Sequence, residues 1–299
     1  MPPAIVLRSL SKRFGSVVAV DDLDLEVEAG AVFGFLGPNG AGKTTTIRMM
    51  MGFITPTAGS VRLLGREISR DPGDVLARIG SLPGEFGLWH GLNGQEVLDY
   101  LADLCPRPAA DQRSLIDLFE LSQRDLARPV RSYSRGMRQK LGIIQAFQHR
   151  PDLVVLDEPT EGLDPLMQDL FLDLLRSFAS AGGTVFMSSH ILSEIEAIAD
   201  LVGVIRQGRL VKLGSPIDLA GEHIHIARLV LRDPSADLTR LRAVEGLDAF
   251  SLDGPLLRFQ IRGPIAPALQ AIAELDLLSC TIEPPKLSNA FIDLYRGEG

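Results

Sequence analysis

Gly37-Pro38-Asn39-Gly40-Ala41-Gly42-Lys43-Thr44 follows a short apolar run at residues 31–36 and leads into residues 44–51, which read as a helix. The pattern is GxxxxGK[ST] set between a strand and a helix. A glycine-rich turn lets backbone N–H groups point inward, and the helix start adds free amides and a positive dipole end. This stretch is therefore built to wrap a phosphate chain, with Lys43 reaching the β- and γ-phosphates and the Thr44 hydroxyl holding Mg2+. Two more apolar runs accompany it. Residues 153–156 end in Asp157, Glu158 and Pro159, and residues 184–187 end in Ser188, Ser189 and His190. All three place polar residues at a strand's C-terminal end, where open α/β sheets bind ligands. Asp157 is suited to hold a metal, and Glu158 to polarise an attacking water as general base. Alone, Asp-Glu-Pro is a good strand stop. Beside Lys43 and Thr44 in one sheet it reads as catalytic.

The length of 299 residues suits one large domain, or one of typical size with a small companion. Hydrophobic residues at 45% supply enough apolar material for a core without a staple. Two distant cysteines, Cys105 and Cys280, exclude a disulfide scaffold. A net charge of −8 without a basic block argues against a nucleic-acid partner. No apolar run reaches bilayer length, and the start of the chain offers too short an apolar region for a signal peptide. A reduced, cytosolic chain is expected.

Residues 1–216 alternate strand-like and helix-like segments, with a mostly helical stretch at about 93–150. Asn93 with Glu96 three residues later has the form of a capping box. From about residue 217 the character changes. Leu257, Phe259 and Ile261 alternate with Arg258, Gln260 and Arg262, a half-buried strand. Ile265, Ala268, Leu269, Ile272 and Leu275 share a helical face, and so do Leu287, Ala290, Phe291 and Leu294. With strand candidates near 224–231, 246–252 and 277–282, residues 217–299 read as a small α+β domain of βαββαβ type with a terminal helix. The three methionines Met49, Met50 and Met51 read as core filler.

The ordered set of motifs resembles one family specifically, the ATP-binding subunits of ABC transporters, over residues 4 to about 215. Phe14 matches the aromatic that stacks on adenine, and Gly37 to Thr45 match the Walker A loop. Tyr133-Ser134-Arg135-Gly136-Met137 stands where the family signature opens a helix; it keeps the serine and second glycine, with Arg135 and Met137 as substitutions. Asp157 and Glu158 match Walker B and the catalytic glutamate, Gly162-Leu163-Asp164 the D-loop, and His190 the switch histidine. The resemblance implies an α/β P-loop NTPase fold with a helical subdomain, and ATP and Mg2+ as ligands. It also implies a head-to-tail homodimer in which each ATP bridges Lys43 of one chain and Ser134 of the other. A chain with one ATPase module and no fused membrane domain resembles subunits of ABC-2 type exporters. That implies a separate ABC-2 type membrane permease and a place on the inner face of the cell membrane.

The sequence departs from the family after Pro83. The usual glutamine is replaced by Gly84, and Glu85, one residue on, is the candidate substitute oxygen ligand for the metal. Phe86, Leu88 and Trp89 then place apolar side chains in a loop where the family receives its membrane partner, which reads equally as docking groove or core. His223 and His225, without a third ligand in view, read as surface residues. Among other readings, ribosome-acting ABC ATPases resemble tandem duplications, and only one Walker A motif is present. Chromosome-maintenance ATPases need long heptad arms between the Walker motifs, and a signalling GTPase needs a guanine-specificity motif. None of these is found.

Overall fold

A computed structural model describes residues 2–68, 73–84, 91–219 and 224–283. The chain divides into two compact units, Met1–Ser215 and Pro216–Gly299. The first begins with an antiparallel hairpin, β1 (Ile5–Phe14) and β2 (Val17–Val27), followed by β3 (Val32–Leu36) and α1 (Lys43–Met50). Then come β4 (Ala58–Leu63), β5 (Arg66–Glu67), α2 (Gly73–Leu76) and β6 (Ile79–Leu82). The helical stretch contains α3 (Gly94–Leu104), α4 (Gln112–Leu118), α5 (Gln123–Leu126) and α6 (Arg135–Phe147). It is followed by β7 (Leu153–Asp157), α7 (Pro165–Ser180), β8 (Thr184–Ser189), α8 (Leu192–Ile198), β9 (Leu201–Arg206) and β10 (Arg209–Gly214).

Two sheets result. One, of order β10-β9-β3-β8-β7-β6, is parallel except for β10. The other, of order β2-β1-β4-β5, is antiparallel, and alternation of strand and helix does not announce it. A single core joins them: Leu7, Leu10 and Leu23 of the antiparallel sheet cluster with Phe33, Phe35 and Phe186 of the parallel one. Ile47, Met49, Met50 and Met51 fill the same cluster, the role expected of the methionines. Phe33 and Phe186, register partners on neighbouring strands, stack with ring centroids 5.3 Å apart. This buried block fixes the C-terminal ends of β3, β7 and β8 side by side.

The helical stretch is capped as the sequence indicates. Glu96 N–H donates to Asn93 Oδ1 at 2.9 Å, and Asn93 N–H to Glu96 Oε2 at 2.8 Å. Its base is tied to the sheet by Asp152, which accepts from Arg78 at 2.6 Å and from Arg107 at 3.1 Å. Among the described residues, no helix is long and apolar enough to cross a membrane.

The second unit contains α9 (Pro216–Leu219), β11 (Ile224–Leu231), α10 (Thr239–Arg242), β12 (Leu247–Asp253), β13 (Leu256–Arg262), α11 (Ala266–Ala273) and β14 (Leu277–Glu283). Its antiparallel sheet has the order β12-β13-β11-β14, the split βαβ arrangement. Ala227, Leu229, Leu257, Phe259 and Ile261 face Leu241, Ala268 and Ile272 in one core. The amphipathic segment holding Leu287, Ala290, Phe291 and Leu294 lies outside the described residues, as does His223.

Candidate active site

The turn after β3 closes on itself before α1 begins. Gly42 has φ +114° and Gly40 φ +79°, both outside the range side chains favour. A Cβ on Gly42 would stand 2.6 Å from the Ala19 carbonyl oxygen, so β2 braces the turn directly. Lys43 is 5% exposed, and its Nζ donates to Gly37 O at 2.6 Å and to Pro38 O at 3.3 Å. Its third neighbour is Glu158 Oε1 at 3.2 Å. A buried ammonium needs such a complement. Pro38, Asn39, Gly40, Gly42, Lys43, Thr44, Thr45, Glu158 and Ala19 line a cleft of about 200 Å3. Thr44 is exposed there, at the start of α1, where the first amides have no acceptor within the helix.

At the end of β7, Asp157 is 2% exposed. Glu158 follows with φ +48°, a left-handed conformation that turns it out of the strand. Its Oε1 faces Lys43, and its Oε2 lies 2.7 Å from His190 Nδ1 and accepts from His190 N–H at 3.3 Å. A single carboxylate thus joins the lysine that opens α1 to the histidine that follows β8. Gly84 stands against Asp157, where an added Cβ would lie 3.3 Å from Oδ2. Glu85 lies outside the described residues, as do Phe86, Leu88 and Trp89.

Ser134, Gly136 and Asp164 form a second group. Ser134 caps α6, its Oγ accepting from Met137 N–H at 3.2 Å. A Cβ on Gly136 would stand 2.8 Å from the Gly162 carbonyl oxygen, so the start of α6 lies against the loop after Glu158. Arg135 pairs with Glu161 across the same contact. Asp164 caps α7, accepting from Met167 N–H at 3.0 Å. Tyr133 is buried, its hydroxyl donating to Asp125 O at 2.7 Å, and burial raises the phenol above its ordinary range. No described residue of α6 lines the Lys43 cleft. Phe14 sits at the tip of the β1–β2 hairpin, 51% exposed, with Lys12 Nζ 5.1 Å from its ring centroid.

Ala19 and Ser188 complete the surroundings without having stood out as site residues in the sequence. Ala19 offers only its carbonyl and small size to the cleft, which leave no signal. Ser188 is fully buried beside Asp157 and bonds to it, a place fixed by the register of β7 with β8.

Residues 20–161 match the family described as ABC transporter. The chain is 40% identical over 216 residues to the bacitracin transport ATP-binding protein of Bacillus licheniformis, covering 71% of this chain and 70% of that one. It is 36% identical over 301 residues to the daunorubicin/doxorubicin resistance ATP-binding protein of Streptomyces peucetius, covering 97% and 90%. Its fold matches an ATP-binding cassette solved as a dimer in a post-hydrolysis state with ADP and phosphate. That match has a TM-score of 0.64 and 20% identity, over 71% of this chain and 98% of that one. With one relative 40% identical over 71% of the chain and another 36% identical over 97% of it, the chain belongs to the ATP-binding subunits of ABC transporters and is an ABC ATPase.

Proposed function

We propose that this chain hydrolyses ATP to power export by a separate ABC-2 type membrane permease, sitting on the inner face of the cell membrane through that partner. The observation that carries the reading is the Glu158 carboxylate held between Lys43 and His190 at the mouth of a glycine-lined cleft. Residues 37–45 wrap the triphosphate, and Phe14, exposed at the hairpin tip, stacks on adenine. Lys43 neutralises phosphate charge. Glu158 takes the proton of the attacking water, and His190 orients that carboxylate and contacts the γ-phosphate. Asp157 and Thr44 suit Mg2+: one is a buried carboxylate at the strand end, the other an exposed hydroxyl on the cleft wall. The ion would supply charge neutralisation on the β- and γ-phosphates.

Ser134, Gly136 and Asp164 stand apart from the cleft of their own chain, at the starts of α6 and α7, where helix amides lack partners within the helix. A second chain set head to tail brings them to the nucleotide, so that ATP joins the pair and hydrolysis releases it. That a protein of the same fold was solved as a dimer supports a pairing of two chains. The relatives' names, bacitracin transport and daunorubicin/doxorubicin resistance, support a role in outward transport. Residues 217–299 form an accessory domain.

The test is the ATPase rate of the purified chain alone and with its co-purifying membrane partner in liposomes, each beside Glu158→Gln. Stimulation by the partner, lost in the variant, is expected. A rate indifferent to any membrane partner would replace the transport role with a soluble one.

A further inference from the structure

The parallel register of β7 and β8 sets Asp157 directly beside Ser188, which is completely buried. Ser188 Oγ donates its one proton to Asp157 Oδ1 at 2.5 Å. The same oxygen is then left to accept, and Glu158 N–H reaches it at 3.1 Å. Glu158 N–H also points to the Ser188 carbonyl at 3.2 Å. One hydroxyl therefore fixes both the strand-end carboxylate and the peptide of the residue after it. That peptide needs fixing, because Glu158 holds φ +48°, which a residue with a Cβ keeps only when its surroundings impose it.

We propose that Ser188 is a positioning residue for hydrolysis, its hydroxyl locking Glu158 in the left-handed conformation that aims its carboxylate at Lys43 and His190. The inference rests on Glu158 as the base. Without the hydroxyl, a buried Asp157 oxygen loses its donor and the Glu158 N–H keeps only a carbonyl. The Glu158 backbone can then relax toward an extended conformation, carrying the carboxylate off its line. The loop at 37–45 that wraps ATP follows β3, and the hydrogen bonds of Ser188 named above do not reach it.

Ser188→Val and Ser188→Thr have nearly the same shape and differ in the hydroxyl. ATP hydrolysis and binding of a fluorescent ATP analogue would be measured for both, beside Glu158→Gln. We expect Ser188→Val to lower kcat about tenfold or more, with KM and analogue affinity within about twofold. Ser188→Thr should restore kcat to within about threefold of the unaltered chain. Equal losses in Val and Thr would overturn the proposal, since shape and not the hydroxyl would be responsible. So would Ser188→Val turning over normally while Glu158→Gln is inactive. An active Glu158→Gln would instead remove the base assignment itself. If the Val variant does not fold, Ser188→Ala replaces it, and a kcat unchanged in Ala is equally fatal.

Discussion

Gly42→Ala separates two terms that the turn before α1 holds together. Gly42 has φ +114°, and an added Cβ would meet Ala19 O at 2.6 Å, Ile205 Cδ1 at 3.2 Å and Val20 Cγ2 at 3.4 Å. The side chains can shift, but the Ala19 carbonyl belongs to β2 and is fixed. The dihedral strain costs about 1–3 kcal/mol, and the carbonyl contact takes the sum to the top of that range, ~3 kcal/mol. If the turn keeps its shape, the cost appears as lost stability. If the turn moves away from Ala19, it appears as lost ATP affinity, ~150-fold for the whole amount. Gly40→Ala is the matched control, because φ is +79° there and nothing lies within 4 Å of the added Cβ. Only the dihedral term remains, about 1 kcal/mol or ~5-fold. Calorimetric ATP titration and urea unfolding of both variants give the two shares, and their sum is the quantity to compare. A Gly42→Ala sum no larger than that of Gly40→Ala would refute the reasoning.

Lys43→Ala should weaken ATP binding at least about 30-fold in the same titration, since it removes the cation that faces both phosphate and Glu158; affinity within threefold would contradict this. Phe259 is 1% exposed and stacks on Phe250 with centroids 5.1 Å apart. Phe259→Ala should lower the melting temperature of the second unit by at least about 10 °C, read by circular dichroism, and a shift of under 2 °C would not fit a packed core. Burial pushes the His149 imidazole below its ordinary value near 6.5. The unfolded chain then takes up a proton near pH 6.5 that the folded chain refuses, so stability is full above that value and falls as pH drops toward the folded one. The melting temperature should fall more steeply between about pH 7 and about pH 5 than in His149→Gln, and superimposed profiles would count against it.

The strand–turn–helix around Lys43 and the strands ending at Asp157 and Ser189 were legible because each is a buried apolar run closed by polar residues. The β11–β14 unit was legible for the complementary reason: Leu257, Phe259 and Ile261 keep strict alternation and all reach the core. The sheet of β1, β2, β4 and β5 was not legible. Leu7 and Leu10 are both fully buried but lie three residues apart, because the register shifts between them, with Ser9 at φ +45°. Such a bulge erases the period of two that marks a strand. Helix α10, four residues long, is too short to show a period of 3.6. In the candidate site, motif order singles out Lys43, Asp157, Glu158 and His190, and the structure brings Lys43, Glu158 and His190 together. Ser188 was legible only as a polar strand end, since its partners are set by the pairing of β7 with β8 and sequence spacing carries no trace of them.

Glu158 decides the account most directly. Purified chain and Glu158→Gln would be compared with ATP and Mg2+, measuring turnover and light scattering on the same samples. We predict that the variant binds ATP, turns over about 100-fold more slowly or worse, and accumulates as a dimer. A variant that hydrolyses at the unaltered rate and stays monomeric would contradict both the base and the two-chain site.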